Sequence, residues 1–464
     1  MDERANGFVA SFQAFLDEVV FAQRAAHGDE PRLVAVLTEH LGADPRRLPV
    51  VTEEIPAHLF VDLDVALAEV QERSAEHRLL GIGGGEQRRH NSLSEILEHS
   101  ERHGNFPVGA VDYRGIPTGP DTVRQVISFG MRLFTVEGAP VAVLQRTAER
   151  RFGMPHAQME VLTAADGVAA RLIAEVRELM LLRSVLRGQV LSLGGSDYEP
   201  GVGDIVFHRR PALTADQIVL PPGVLDRVVR HVAGVAHHRD RLRAAGQHLK
   251  RGLLLYGPPG TGKTHTVRYL LGALPELTVI LLAGPSVAFV GDAAQMARAL
   301  QPALVVLEDC DLVAESRDHH TGAQPLLFVV LEALDGLADD ADVAFLLTTN
   351  RVDMLEPALA QRPGRVDLAV EVPLPDAEAR RRLIALYARR LPFGEAALDR
   401  AADRSAGITA SFAKELVRRA VLMAAEAGHE PSDADLDHAL DEMLAEGESI
   451  TRSLLGAQPG MVRP

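Results

Sequence analysis

The sequence has one cysteine, Cys310, no tryptophan, and only 4% aromatic residues in a chain of 464. A lone thiol excludes an intrachain disulfide framework and fits a reducing compartment. Lysine is nearly as scarce: it occurs only at 250, 263 and 414, so arginine carries almost all the positive charge. Lys plus Arg number 48 against 64 Asp plus Glu, a net charge of −16. That balance opposes nucleic acid and anionic lipid unless a basic patch is segregated, and none is visible. The largest charge cluster is acidic, nine Asp or Glu with no Lys or Arg between Glu426 and Glu448, and it reads as a solvated helical face. No apolar run is long enough to span a bilayer, and Met1-Asp2-Glu3-Arg4 lacks a basic region followed by an apolar segment. The expectation is a cytoplasmic protein that neither enters a membrane nor is secreted.

What is present is ample core, with 47% hydrophobic and 24% charged residues, and one motif that narrows the chemistry. The apolar run Leu253-Leu254-Leu255-Tyr256 leads directly into Gly257-Pro258-Pro259-Gly260-Thr261-Gly262-Lys263-Thr264, with His265 next. Glycines let successive backbone N–H groups face a triphosphate, Lys263 reaches the β and γ phosphates, and the Thr264 hydroxyl can ligate Mg²⁺. A helical pattern over Thr264 to Leu271 places a helix N-terminus under the phosphates. Residues 257 to 265 are therefore the expected ATP-binding set. Gly81-Ile82-Gly83-Gly84-Gly85 has no such lysine after it and reads as a flexible loop.

The order of elements suggests an α/β protein of several parts. Residues 1 to about 45 read as amphipathic helices, with Phe8, Phe12, Phe15, Leu16, Val19 and Val20, then Leu33, Val36 and Leu37, at helical spacing. From about 50 to 208 short strands and helices mix. A hairpin is expected with arms Arg132 to Val136 and Val141 to Gln145 around Glu137-Gly138-Ala139-Pro140, followed by a helix from Val168 to Leu186 and strands at Gln189 to Leu193 and Asp204 to His208. Pro and Gly at Tyr198 to Gly203 and Pro221 to Gly223 put a boundary near 210. The expected parts are an α/β or α+β domain over 1–210, acting as adaptor or recruitment module, a doubly covered parallel sheet over 211–373, a helical lid over 374–446, and a flexible tail over 447–464. Within the second part helices are expected at Ala293 to Leu300 and Leu326 to Leu334.

Hydrolysis needs carboxylates at a second strand end, and Ala303-Leu304-Val305-Val306-Leu307-Glu308-Asp309-Cys310-Asp311 supplies them. One would hold Mg²⁺ and its neighbour would polarise the attacking water. The strand Val343 to Leu347 ends in Thr348-Thr349-Asn350, a neutral amide able to orient water, and Gln361-Arg362-Pro363-Gly364-Arg365-Val366-Asp367 carries two arginines on a rigid turn. His319-His320 lacks further metal ligands and reads as solvated loop.

Together, GPPGTGKT, LEDCD, TTN and RPGRVD, in this order over residues 215 to 446, resemble an AAA ATPase module of the AAA+ superfamily. The resemblance implies ATP with Mg²⁺ as cofactors and a homo-hexameric ring with nucleotide between subunits. It further implies Asn350 as the first sensor, and Arg362 and Arg365 reaching the neighbour's site. Thr264 and Glu308 would be the metal ligands, and Glu308, Asp309, Asn350, Arg362 and Arg365 the catalytic set. Phe289-Val290-Gly291 matches the family's substrate-gripping pore loop, which implies a protein client.

Three positions depart from the pattern. Glu308 precedes Asp309 where the family usually has Asp then Glu, an order similar to the branch containing the mitochondrial respiratory-complex assembly ATPase. Asp216-Gln217-Ile218-Val219-Leu220 replaces the usual Asp-Val-Gly-Gly near the adenine, and Phe412 stands where the lid motif has Asp. The expected function is an ATP-driven, chaperone-like remodeller or unfoldase. A DNA-directed AAA+ motor or loader, disfavoured by the net charge, and a slowly hydrolysing nucleotide-switched assembly scaffold are the alternatives.

Overall fold

The structure is a computed structural model that describes residues 32–103, 105–149, 154–196, 199–310, 340–351 and 366–445. The expected helices before residue 32, His319-His320, the helix Leu326 to Leu334, Arg362, Arg365 and the tail lie outside the described residues. The chain divides into two compact units, at Val185/Leu186.

The first unit runs α1 (Leu33–Leu41), β1 (Val50–Ile55), α2 (Phe60–Glu72), β2 (Arg78–Ile82), α3 (Leu93–His103), β3 (Val108–Gly109), β4 (Asp112–Pro117), β5 (Val123–Val136), β6 (Ala139–Arg146), β7 (Ala157–Thr163) and α4 (Val168–Leu182). Its sheet has the order β1-β7-β6-β5-β2-β3, with β4 also on β5, and every pairing is antiparallel. Alternate residues feed two cores. Phe134, Val141, Val143 and Val161 pack against α2 and α4, whereas Met131, Leu133, Leu144 and Leu162 pack against α1 and α3. Both faces are covered, so the strands read as nearly continuous apolar runs.

The expected hairpin is longer and its turn tighter. Val136 pairs with Ala139 and Thr135 with Pro140, leaving Glu137 and Gly138 as a two-residue turn with φ of 50° and 81°, the doubly left-handed geometry that matches strand twist. Gly81 lies in β2 rather than in a flexible loop. A Cβ there would sit 1.8 Å from the Ala110 carbonyl oxygen, so its glycine serves close backbone packing.

Two arginines are buried in this sheet. Arg132 donates to Asp64 at 2.7 Å and to Gln71 at 2.9 Å. Arg146 pairs with Glu160, both 2% exposed, and Glu160 also accepts from the Leu93 N–H at 2.9 Å. Removing one partner of such a pair leaves a desolvated charge. Arg146→Met is expected to destabilise the first unit by about 3–5 kcal/mol, measured as a shift in the urea unfolding midpoint of its transition; an unchanged midpoint would show the pair to be dispensable.

The second unit contains β8 (Val190–Ser196), β9 (Glu199–His208), α5 (Val224–His237), α6 (Arg239–Ala244), β10 (Arg251–Tyr256), α7 (Lys263–Ala273), β11 (Thr278–Ala283), α8 (Val290–Ala299), β12 (Ala303–Glu308), β13 (Val343–Thr349), β14 (Leu368–Glu371) and the helices α9 (Ala377–Ala388), α10 (Glu395–Arg404), α11 (Ala410–Ala427) and α12 (Asp433–Leu444). The sheet order is β14-β10-β13-β12-β11-β8-β9. Its strands are parallel except β9, which runs antiparallel to β8.

The boundary expected near 210 is thereby corrected. β8 pairs with β11, Val190 opposite Val279, so both strands of 190–208 extend the second sheet, and the Gly- and Pro-rich run that suggested a linker belongs to their hairpin. Two flanking arginines tie it in. Arg210 donates to the carbonyls of Gly188 at 3.0 Å, Leu277 at 2.6 Å, Leu274 at 3.1 Å and Leu271, and Arg187 to those of Ala299 and Gln301, both at 2.9 Å. They occupy the C-terminal ends of α7 and α8, where cations suit the helix dipole.

Helices α9 to α12 share a core of their own in which Phe412 is fully buried, giving that position a packing role in place of a polar one. The acidic run reads differently in three dimensions. Asp437 and Asp441 of α12 pair with Arg400 and Arg404 of α10, so part of the run is an ion-paired face between helices, worth little per exposed pair. Among the described residues, no helix is long and apolar enough to cross a membrane.

Candidate active site

β10 is buried along nearly its whole length and pairs with β13 on one side and β14 on the other. At its end the chain reverses closely against the last strand: Val372 donates to Tyr256 O at 2.7 Å, and a Cβ on Gly257, whose φ is 146°, would come within 2.2 Å of the Val372 carbonyl oxygen. Only glycine fits that approach. The loop then closes through Thr261 Oγ1, which donates to Pro258 O at 2.9 Å, and α7 starts at Lys263. The first N–H groups of that helix have no intrahelical partner and point outward, an anion-binding arrangement. Lys263 is buried, and its Nζ donates to Gly257 O at 2.8 Å and Pro258 O at 2.9 Å, so its charge is held across the mouth of the loop.

Parallel pairing brings the other groups alongside. β12 and β13 are neighbours, with Leu307 opposite Leu347. Glu308 is half-buried, and burial followed by the adjacent Asp309 charge raises its pKa, while a hydrogen bond from Thr264 acts in the opposite direction. Its Oε1 is buried and has no hydrogen-bond partner. Asp309 takes up a left-handed conformation, φ 50°, and its N–H donates to Thr348 Oγ1 at 3.0 Å. Lys263, Thr264, His265, Asp309 and Asn350 line one cleft of about 420 Å³. Burial, then the charges of Arg268 and Lys414, lower the His265 pKa. A smaller hollow of about 150 Å³ lies beside Thr261, between Val219-Leu220 and Pro373-Leu374-Pro375.

A divalent cation fits here. The orphaned Glu308 oxygen and the Thr264 hydroxyl are oxygen donors of the hard type that Mg²⁺ takes, with phosphate oxygens and water completing its shell. Among the described residues there is no cluster of three or more His, Cys, Asp or Glu that could hold a metal ion.

The expected pore-loop set is only partly available. Gly284–Phe289 forms a 3₁₀ turn that runs into α8. Val290, the first residue of that helix, is 0% exposed and belongs to the core, so it cannot touch a client in this conformation, whereas Phe289 is half-exposed and Gly291 exposed. The reason is the helix itself, whose first turn faces the sheet. Helices α9 and α11 contribute residues outside the expected site set: Tyr387, Ser411 and Lys414 line the same cleft. The signal that could have found Lys414 was the rarity of lysine.

A parallel sheet with a glycine loop opening a helix, and an acidic strand end one strand removed from it, defines a P-loop nucleotide-binding domain. Residues 253–374 match the family described as "ATPase family associated with various cellular activities (AAA)", and this segment is an AAA ATPase domain, whose cofactors are ATP and Mg²⁺. The chain is 34% identical to the ATP-dependent zinc metalloprotease FtsH 2 of Sphaerobacter thermophilus over 219 residues, 44% of this chain and 33% of that protein. It is also 34% identical to the 26S protease regulatory subunit 6A of Caenorhabditis elegans over 210 residues, 42% of this chain and 48% of the relative. The FtsH of Mycobacterium tuberculosis is 32% identical over 220 residues, 29% of its length. The chain thus spans less than half the length of these relatives. The sequence contains no His-Glu-x-x-His run, the zinc motif of metalloproteases. None of these three relatives bears on the likeness to the respiratory-complex assembly branch.

Glu308→Gln separates stability from chemistry. A carboxyl whose folded pKa is raised takes up a proton on folding, so it weakens the fold as pH rises from its unfolded pKa through its folded one. The amide is expected to raise Tm at neutral pH while reducing Mg²⁺-dependent ATP turnover at least tenfold; a lower Tm with normal turnover would contradict the assignment. Gly257→Ala is expected to abolish nucleotide binding in a fluorescent-ATP titration.

Proposed function

We propose that the protein is a ring-forming ATPase that uses Mg-ATP hydrolysis to remodel protein clients. Lys263 and the α7 N-terminus bind the β and γ phosphates, Lys263 exchanging its carbonyl partners for phosphate oxygens. Thr264 and Glu308 hold Mg²⁺, which neutralises charge on the phosphates when bound. Asp309 takes the proton of the attacking water and Asn350 orients that water. The hollow beside Thr261, with Val219, Leu220 and Pro373 on its walls and Asp376, Glu378 and Arg382 among its lining, suits the nucleobase. Arg362 and Arg365 would complete the site of a neighbouring subunit, and Phe289, the aromatic of the expected loop and more accessible than Val290, would grip the client. The observation that carries the reading is the convergence of Lys263, Asp309 and Asn350 on one cleft, supported by the similarity to an FtsH protease and a proteasome regulatory subunit.

A second reading has a specific observation behind it. Asp309 is one methylene shorter than the glutamate usual beside the metal ligand, and Val290 is unavailable to a client, which together suit a slow nucleotide-switched scaffold. DNA-directed action is disfavoured by the net charge of −16. Steady-state ATPase assays on wild type, Asp309→Asn and Phe289→Ala distinguish these. The motor reading expects Asp309→Asn to lower kcat at least 100-fold with nucleotide still bound, and Phe289→Ala to keep ATPase activity while losing unfolding of a model substrate. A wild-type turnover slower than one per minute, insensitive to Phe289→Ala, would favour the switch.

A further inference from the structure

Asp309 carries a backbone conformation that needs an external hold. A non-glycine residue at φ 50° sits in the left-handed region, sparsely populated by side-chain-bearing residues, although Asp and Asn tolerate it better than most. Strain of this kind persists only where surrounding groups fix it. The group that does so here comes from another strand: the Asp309 N–H donates to Thr348 Oγ1 at 3.0 Å. Thr348 is itself 0% exposed and is locked in β13 opposite Leu255 of β10, immediately ahead of the phosphate-binding loop. Two residues further along the chain, just past the end of β13, Asn350 enters the cleft that Asp309 also lines.

We propose that Thr348 is a positioning residue for hydrolysis: its hydroxyl holds the Asp309 backbone left-handed, aiming the carboxylate into the cleft and tying it to the strand that leads into Asn350. A shift of β13 registered at Asn350 is then transmitted to Asp309 through one hydrogen bond. The arrangement also accounts for the residue type at 309. A left-handed residue beside the metal-binding carboxylate is better served by aspartate than by glutamate, so the reversed carboxylate order and the Thr348 contact are two parts of one design. The inference rests on the assignment of Asp309 to the water.

The test uses the full chain with Thr348→Val, which keeps shape and removes the hydroxyl, Thr348→Ser, which restores the acceptor, and Asp309→Asn as reference. Expected are a drop in kcat of about tenfold or more for Thr348→Val, an ATP affinity within twofold of wild type by titration in the absence of turnover, and recovery to at least half of wild-type kcat for Thr348→Ser. Because a merely structural threonine would lose stability and binding together, the split between kcat and affinity and the serine rescue carry the result. If Thr348→Val does not fold, Thr348→Ala supplies the same contrast. Wild-type kcat in the hydroxyl-free variant, with Asp309→Asn inactive, would overturn the role of Thr348 alone. An active Asp309→Asn would instead overturn the assignment of Asp309, and Thr348's role with it.

Discussion

The lateral pairing of β10, β13 and β12 is the constraint on which the site depends. Parallel strands have no turns between them, so their carboxyl ends align only if register is held along the whole strand. Here Tyr256 stands opposite Thr349 and Leu307 opposite Leu347, which brings the start of the glycine loop level with Asn350 and sets Glu308 beside Thr348, two residues below them. The opposite end of the sheet is pinned by a buried pair, Arg251 to Asp342 at 2.8 Å, with Arg251 also donating to Val232 O. That pair joins β10 to the start of β13, and helices α5 and α7 fill one side of the sheet with Val228, Val232, Val267 and Leu270.

Electrostatics in the cleft follow from this alignment. Two carboxylates are forced next to each other at the end of β12, and one of them is half-buried, so the site is uncomfortable without a cation. Glu308 meets that condition with a raised pKa and an unpartnered oxygen, whereas Asp309 is turned into the cleft by its own backbone. Positive charge sits opposite, at Lys263 and the α7 N-terminus. A tetra-anionic substrate with a divalent metal satisfies both sides at once, which a smaller ligand would not.

Much of this was legible in the sequence, because the elements around the site are local. The strand at Leu253 to Tyr256, the loop after it and the helix over Thr264 to Leu271 are legible from the motif and its flanks, each within two residues of the observed bounds, and the strands at 303 and 343 follow from continuous apolar runs. What was not legible depended on long-range pairing. Nothing local says that Val190 lies beside Val279, so β8 and β9 were assigned to the wrong unit. Nor does a hydrophobic tip reveal that Val290 points inward. The hydroxyl of Thr348 was visible only as part of a Thr-Thr-Asn string, its acceptor role set by a turn on a different strand.

The measurement that most directly tests the account is hydrogen–deuterium exchange of the full chain with and without Mg-ATP, using Lys263→Ala as the unbinding control. The account predicts slowed exchange in four segments distant in sequence: 257–266, 308–310, 348–351 and 410–415. The control should show none of these changes. Protection confined to the glycine loop, or protection outside these segments with none at 308–310 and 348–351, would contradict the convergence of strand ends and lid on one nucleotide.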